Sequence, residues 1–353
     1  MTKLAPLLHY HAKTKKISHL AWSSDGERVA ISSRADRTLA LIQSRSAQQI
    51  SSASHRMSIN TVAWSPDDAF LALGGSEALG AAEPPVLPTR SRGALVVLDV
   101  HRQQIIRAFA TTEAVNALAW SPDHLWLGIA ARDVTVWDVR QQKEISKICA
   151  ENGLAASSVG WLQDRRHVLV AWSASGSAIE RTLTIHAAAT GKQTKSIEVD
   201  KGPWEDREPM TLCSLALAPM GTSIAVSGAY AAVKDDPEAP IYGIIRLIDL
   251  VTGQERQLAA GMHGRRVWGP FIQSLSWSHD GRLLAASSGL DDTFVMFDVS
   301  TRNRIATGTV EKGPLEPAQK QTVHAVQVLA WSPVDDRLAV ATSHGCTIYQ
   351  AQQ

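Results

Sequence analysis

Residues 118–139 read LAWSPDHLWLGIAARDVTVWDV: one tryptophan stands before Ser-Pro-Asp, a second before Asp-Val, and apolar residues fill most of the space between. Sliding this stretch along the chain finds it again. Seven tracts align over sixteen positions without a gap: ISHLAWSSDGERVAIS (17–32), INTVAWSPDDAFLALG (59–74), VNALAWSPDHLWLGIA (115–130), ASSVGWLQDRRHVLVA (156–171), LCSLALAPMGTSIAVS (212–227), IQSLSWSHDGRLLAAS (272–287) and VQVLAWSPVDDRLAVA (326–341). The sixth position holds Trp22, Trp64, Trp120, Trp161, Leu217, Trp277 and Trp331. The fifth is always Ala, Gly or Ser, and the thirteenth is always aliphatic: Val29, Leu71, Leu127, Val168, Ile224, Leu284 and Leu338. One structural unit is written seven times.

In each unit two short apolar runs flank a polar corner such as Ser65-Pro66-Asp67-Asp68, whose turn-forming residues end both runs. That is a β-hairpin, strands a and b. A third run rich in β-branched residues follows, as in GALVVLDV (93–100) or GIIRLIDL (243–250), and then a more polar fourth, as in KEISKICA (143–150), suited to an exposed edge. Strands a to c do not alternate cleanly, so both their faces call for cover. Four-stranded antiparallel sheets stacked around an axis meet that need, and the expected fold is an all-β, seven-bladed β-propeller forming one domain over 1–353. The last unit stops after its third strand, CTIYQA (346–351), while LLHYHA (7–12) is a surplus strand before the first tract. The N-terminal strand is expected to complete the last blade and clasp the ring.

Here the units resemble the WD-repeat family. The likeness lies in the Trp-Ser-Pro-Asp corners and in the aspartates that close the third strand, Asp99, Asp138, Asp249 and Asp298, with a literal Trp137-Asp138. It implies a seven-bladed propeller that serves protein–protein interaction. The family's buried His–Ser/Thr–Asp–Trp network is mostly missing, with Asp36, Asp133 and Asp292 the nearest matches to its tight-turn aspartate. No unit carries the Gly-His pair.

The charge balance, 35 basic against 34 acidic residues, gives no long-range field toward nucleic acid or an anionic membrane. Cys149, Cys213 and Cys346 lack any Cys-x-x-Cys spacing, which points to reduced thiols and a cytoplasmic setting. No uncharged apolar run reaches membrane-spanning length.

The intervals between tracts, 26, 40, 25, 40, 44 and 38 residues, locate extra chain in b–c segments (76–93 and 229–242) and in d–a segments (200–210, 260–271 and 311–325). In an up-down meander these connections share one rim, and one-sided insertions build binding surfaces. The candidate partner-binding residues are Trp204, Arg207, Tyr230, Tyr242, Arg265, Arg266, Trp268 and Phe271, because Trp, Tyr and Arg join large contact area to directional polar groups.

An enzyme with a site at the central channel is the first alternative, but no Gly-x-Ser-x-Gly or His-Glu-x-x-His motif occurs. The stretch HAAATGKQT (186–194) has His186 where a phosphate-binding loop needs glycine, and reads as a c–d turn. His9 and His11 share a strand face and could begin a metal site, but no third ligand is identifiable. A nucleic-acid-binding propeller is the other alternative. Arg90, Arg92, Arg265, Arg266, Lys312 and Lys320 are interleaved with Glu77, Glu83, Asp206, Glu208, Asp235, Asp236 and Glu238, so no positive track forms. The expectation is a non-catalytic scaffold for a protein or peptide, with no cofactor or metal.

Overall fold

Each tract folds as the hairpin its pattern predicts. The computed structural model describes residues 3–12, 17–77, 92–151, 153–174, 182–199, 211–231, 241–260, 272–288, 293–310, 326, 328–342 and 345–352. In the third unit, strands Ala117–Trp120, Trp126–Ala130, Val134–Asp138 and Lys143–Ile148 pair in that order to make one antiparallel sheet. Six further sheets repeat the arrangement, giving a seven-bladed β-propeller of four-stranded blades. The seventh combines Val328–Trp331, Arg337–Ala341 and Gly345–Gln352 with the N-terminal strand Lys3–His11, whose register runs from Leu4 opposite Ala351 to Tyr10 opposite Cys346. The surplus strand therefore takes the outer place in the last blade.

The chain divides into two compact units, one of residues 21–43 and 49–199 and the other of 1–20, 44–48 and 200–353. In the first, apolar layers fill the space between consecutive blades, for example Leu41, Val62, Trp64 and Leu71 between the first and second, and Val136, Val159, Trp161 and Val170 between the third and fourth. In the second, Ile245, Trp277 and Phe297 lie between the fifth and sixth blades, and Phe294, Trp331 and Tyr349 between the sixth and seventh.

The recurring tryptophans are 5% to 8% exposed, and four of their indoles also bond across blades, whereas the buried Trp331 Nε1 has no hydrogen-bond partner among the described residues. The Trp64 Nε1–H donates to the Ala21 carbonyl at 3.1 Å, Trp120 to Ala63 at 3.0 Å, Trp161 to Ala119 at 2.9 Å, and Trp277 to Ala216 at 2.9 Å. Each bond reaches from one blade to the small fifth-position residue of the blade before it. The requirement for Ala, Gly or Ser there follows, since a larger side chain would crowd the approaching ring. Gly128 obeys the same logic, because a Cβ would lie 3.4 Å from Trp161 Nε1 and 3.2 Å from a Val159 methyl. Leu217 has no side-chain N–H to give.

The a–b corners are built alike. Ser65, Ser121 and Ser278 are fully buried; each hydroxyl donates to the aspartate two residues on, at 2.6 Å, and accepts the first amide of strand b at 2.9 Å. The tenth tract position is left-handed in six corners, at Gly26, Asp68, His124, Arg165, Gly221 and Gly281. Asp68 carries this strain and also accepts from the Ser24 and Asp25 amides of the preceding blade's corner, at 2.6 and 2.9 Å.

Candidate interaction surface

Each antiparallel sheet has two ends, and the sequence treats them differently. At one end lie the corners just described and the c–d turns. The latter repeat one conformation, closing on a left-handed residue at Ala47, Gln103, Gln142, Gly191, Gly253 and Arg302. Third-strand aspartates cap them: Asp99 accepts from the Arg102 amide at 2.8 Å, Asp138 from Gln141 at 2.6 Å, Asp249 from Thr252 at 2.7 Å, and Asp298 from Thr301 at 2.9 Å. Hydrogen bonds hold three carboxyls below the usual range: Asp99 chiefly through the Arg102 amide, Asp249 through the Thr252 amide and Asp298 through the Ser300 hydroxyl.

At the other end the connections vary widely in length. The b–c connection of the first blade is the short turn 34–37, whereas that of the second spans 78–92 and that of the fifth 232–240; d–a connections run through 199–210, 261–271 and 310–327. The fifth blade also lengthens its strands toward this end, Ser223–Ala231 and Ile241–Asp249, so part of the expected 229–242 loop is sheet. Tyr230 and Tyr242 are cross-strand partners there, about 10 Å past the end of the tract. They are the two candidate residues the structure brings together. Trp204, Arg207, Arg265, Arg266, Trp268 and Phe271 lie outside the described residues, as does the tight-turn candidate Asp292.

Other candidates resolve into structural roles. Thr190-Gly191-Lys192 is a c–d turn, with the Gly191 amide donating to Ala187 at 2.8 Å. His186 is buried in a chain of bonds: Trp172 Nε1–H donates to Thr184 Oγ1 at 2.6 Å, His186 Nε2 lies 2.8 Å from that oxygen, and Nδ1 lies 3.0 Å from the Gly191 carbonyl. A carbonyl only accepts, so Nδ1 carries the proton and Nε2 accepts from Thr184. Burial lowers the His186 pKa. Asp36 bonds the Ser33 hydroxyl at 3.1 Å within its own turn, whereas Asp133 accepts the Ala150 amide and pairs with Lys147, both at 2.9 Å. Neither builds the four-residue network of the WD repeat.

His9 and His11 stand with ring centroids 4.3 Å apart, and His9 Nδ1 bonds Thr347 Oγ1 at 2.8 Å. Among the described residues no group of three or more His, Cys, Asp or Glu is placed to hold a metal. Cys149 is exposed; Cys346 is buried, which pushes its thiol up to about 12 and makes it a poor nucleophile. No helix among the described residues is long and apolar enough to cross a membrane.

One feature of this end is missed by weighing only the long insertions. Arg34, Arg37 and Arg56 stand in short connections of the first blade, and only knowing which end each connection occupies brings them to one rim.

Comparison with known proteins agrees with this architecture. The family model described as "WD domain, G-beta repeat" matches residues 4–42, 47–77 and 263–298, which take in the first, second and sixth tracts. The chain thus has a WD40-like seven-bladed propeller architecture. No curated protein sequence matches it. Among solved structures it is similar to Kuenenia stuttgartiensis hydrazine synthase, with a TM-score of 0.76 and 14% identity over 97% of each chain. At that identity the likeness is one of fold.

Proposed function

We infer that this chain is a non-catalytic interaction scaffold that holds a protein or peptide partner at the insertion-bearing ends of its blades. The contrast between sheet ends carries the reading. Six corners and six c–d turns repeat one closing conformation, while the b–c and d–a connections vary widely in length. A repeat scaffold kept uniform at one end and elaborated at the other is a framework presenting variable loops. The WD-repeat match supports the same role by family likeness.

The contacts are assigned to Trp204, Arg207, Tyr230, Tyr242, Arg265, Arg266, Trp268 and Phe271 on connections around the fifth blade. The test compares partners retained by the whole chain with those retained when 200–210 and 260–271 are shortened. Trp268→Ala or Arg266→Ala should weaken a partner lost on shortening by about 2 kcal/mol or more, at an unchanged melting temperature. A partner bound equally by all forms would place the interface elsewhere.

A further inference from the structure

The a–b corner of the fourth blade departs from the others in backbone and in charge. Its tenth tract position holds Arg165 in the left-handed region, at φ 62°, where the first, fifth and sixth blades have Gly26, Gly221 and Gly281. A residue with a side chain is strained there. In the two other corners that accept this strain, the side chain reaches back to the corner before: Asp68 accepts from the Ser24 and Asp25 amides, and His124 Nδ1 stands 3.8 Å from Asp67. Among the described residues the Arg165 side chain makes no such contact. Asp123, the equivalent of Asp67 in the preceding corner, accepts instead from the Ser121 hydroxyl and the Leu125 amide.

Arg166 and Lys192 stand beside it. The Arg166 carbonyl accepts the Ala188 amide at 2.7 Å and the Lys192 carbonyl accepts that of Ala187 at 2.9 Å, so the corner 162–167 and the c–d turn 188–192 are bonded at one strand end. Arg165, Arg166 and Lys192 are exposed, and none of their side chains has a hydrogen-bond or ion-pair partner among the described residues. The one carboxylate in the two segments, Asp164, is occupied by the Arg166 and His167 amides, at 2.9 and 3.0 Å, and by the His167 ring at 2.5 Å. The outer strand of the third blade, Lys143–Ile148, meets this turn where Ser146 Oγ donates to the Ala188 carbonyl at 2.5 Å. It adds Lys143 and Glu144, of opposite sign, and Lys147, already paired with Asp133, so the positive excess stands.

We propose that this corner of the fourth blade docks an acidic segment of a partner protein, with Arg165, Arg166 and Lys192 receiving its carboxylates. Guanidinium groups suit the task, because each can grip a carboxylate with two parallel bonds, and Lys192 adds a point charge. Backbone strain at Arg165 that no contact among the described residues offsets is accounted for by a contact with the partner. A nucleic acid is the poorer fit: its backbone needs a continued positive track, and the preceding corners hold aspartate instead, at Asp25, Asp67 and Asp123. The site lies at the uniform end of its blade and so adds a second surface to the insertion-bearing one.

The experiment follows fluorescein-labelled hexaglutamate by anisotropy on the full chain, beside hexalysine and a single-stranded oligonucleotide. Hexaglutamate should bind, more weakly as salt rises, and hexalysine should not. Arg165→Gly installs the residue that other corners use at this position, so it should weaken binding while the melting temperature holds or rises. The double variant Arg165→Gly/Arg166→Ala should weaken binding about tenfold or more. No binding of hexaglutamate, equal binding by the double variant, or preference for the oligonucleotide would each overturn the proposal. A melting temperature lowered by Arg165→Gly would make Arg165 a structural residue and overturn it too. Hexaglutamate binding retained when 200–210 and 260–271 are shortened supports a surface separate from those loops; binding lost there would move the site to them and sink the assignment to the fourth blade.

Discussion

His19, in the first strand of the first blade, shows how burial turns one side chain into a pH dependence. Its ring has an Nδ1 with no hydrogen-bond partner among the described residues, and burial lowers its pKa from 6.5 to about 4. The unfolded chain takes up the proton first. The stabilising contribution is therefore complete above pH 6.5 and is lost as pH falls from 6.5 toward 4, by about 3 kcal/mol in all. His55 and His186, whose pKa values are also lowered by burial, act in the same direction. Denaturant midpoints at pH 7 and pH 4.5 should fall further for the wild type than for His19→Leu; equal losses would show that His19 ionises alike in both states. Nothing in the sequence singles this histidine out, because ISHLAW offers a polar residue on a strand and leaves its burial to the neighbouring elements.

At the scale of elements, blades are joined by apolar layers and by indole bonds aimed at a carbonyl one blade back. Trp120→Ala should cost about 3–5 kcal/mol by lost packing. Trp120→Phe keeps a ring but removes the donor to Ala63, and should cost about 1–3 kcal/mol. Chemical denaturation measures both, and partner binding should fall only in proportion to unfolded protein. A Trp120→Phe variant as stable as the wild type would mean that the indole acts by volume alone. The tract alignment makes the tryptophans visible as core and the fifth position visible as small. That the second fact follows from the first becomes visible only when the blades are side by side, because donor and acceptor are 57 residues apart.

For the whole molecule, the N-terminal strand is the element with the longest reach, since Lys3–His11 pairs with Gly345–Gln352 at the opposite end of the chain. Deleting residues 1–12 should expose the third strand of the last blade as an edge and lower the melting temperature by several degrees. An unchanged melting temperature would show that the pairing contributes nothing to stability. The sequence alone determined the number of blades, their strand order, the place of the surplus strand and the end at which extra chain collects, because all of these follow from the spacing of a repeated local pattern. It also fixed the uniform corners, whose Ser-x-Asp bonds are made within five residues. Tertiary structure decided the rest: the fifth blade's lengthened hairpin, the Trp172–Thr184–His186 chain, the indole bonds, and the ion pairs of Arg92 with Glu113 and Lys147 with Asp133. The physical reason is distance along the chain. Backbone pairing and turn chemistry are local and leave a period in the sequence, whereas burial, side-chain pairing and local excess of charge depend on which segments the fold sets side by side.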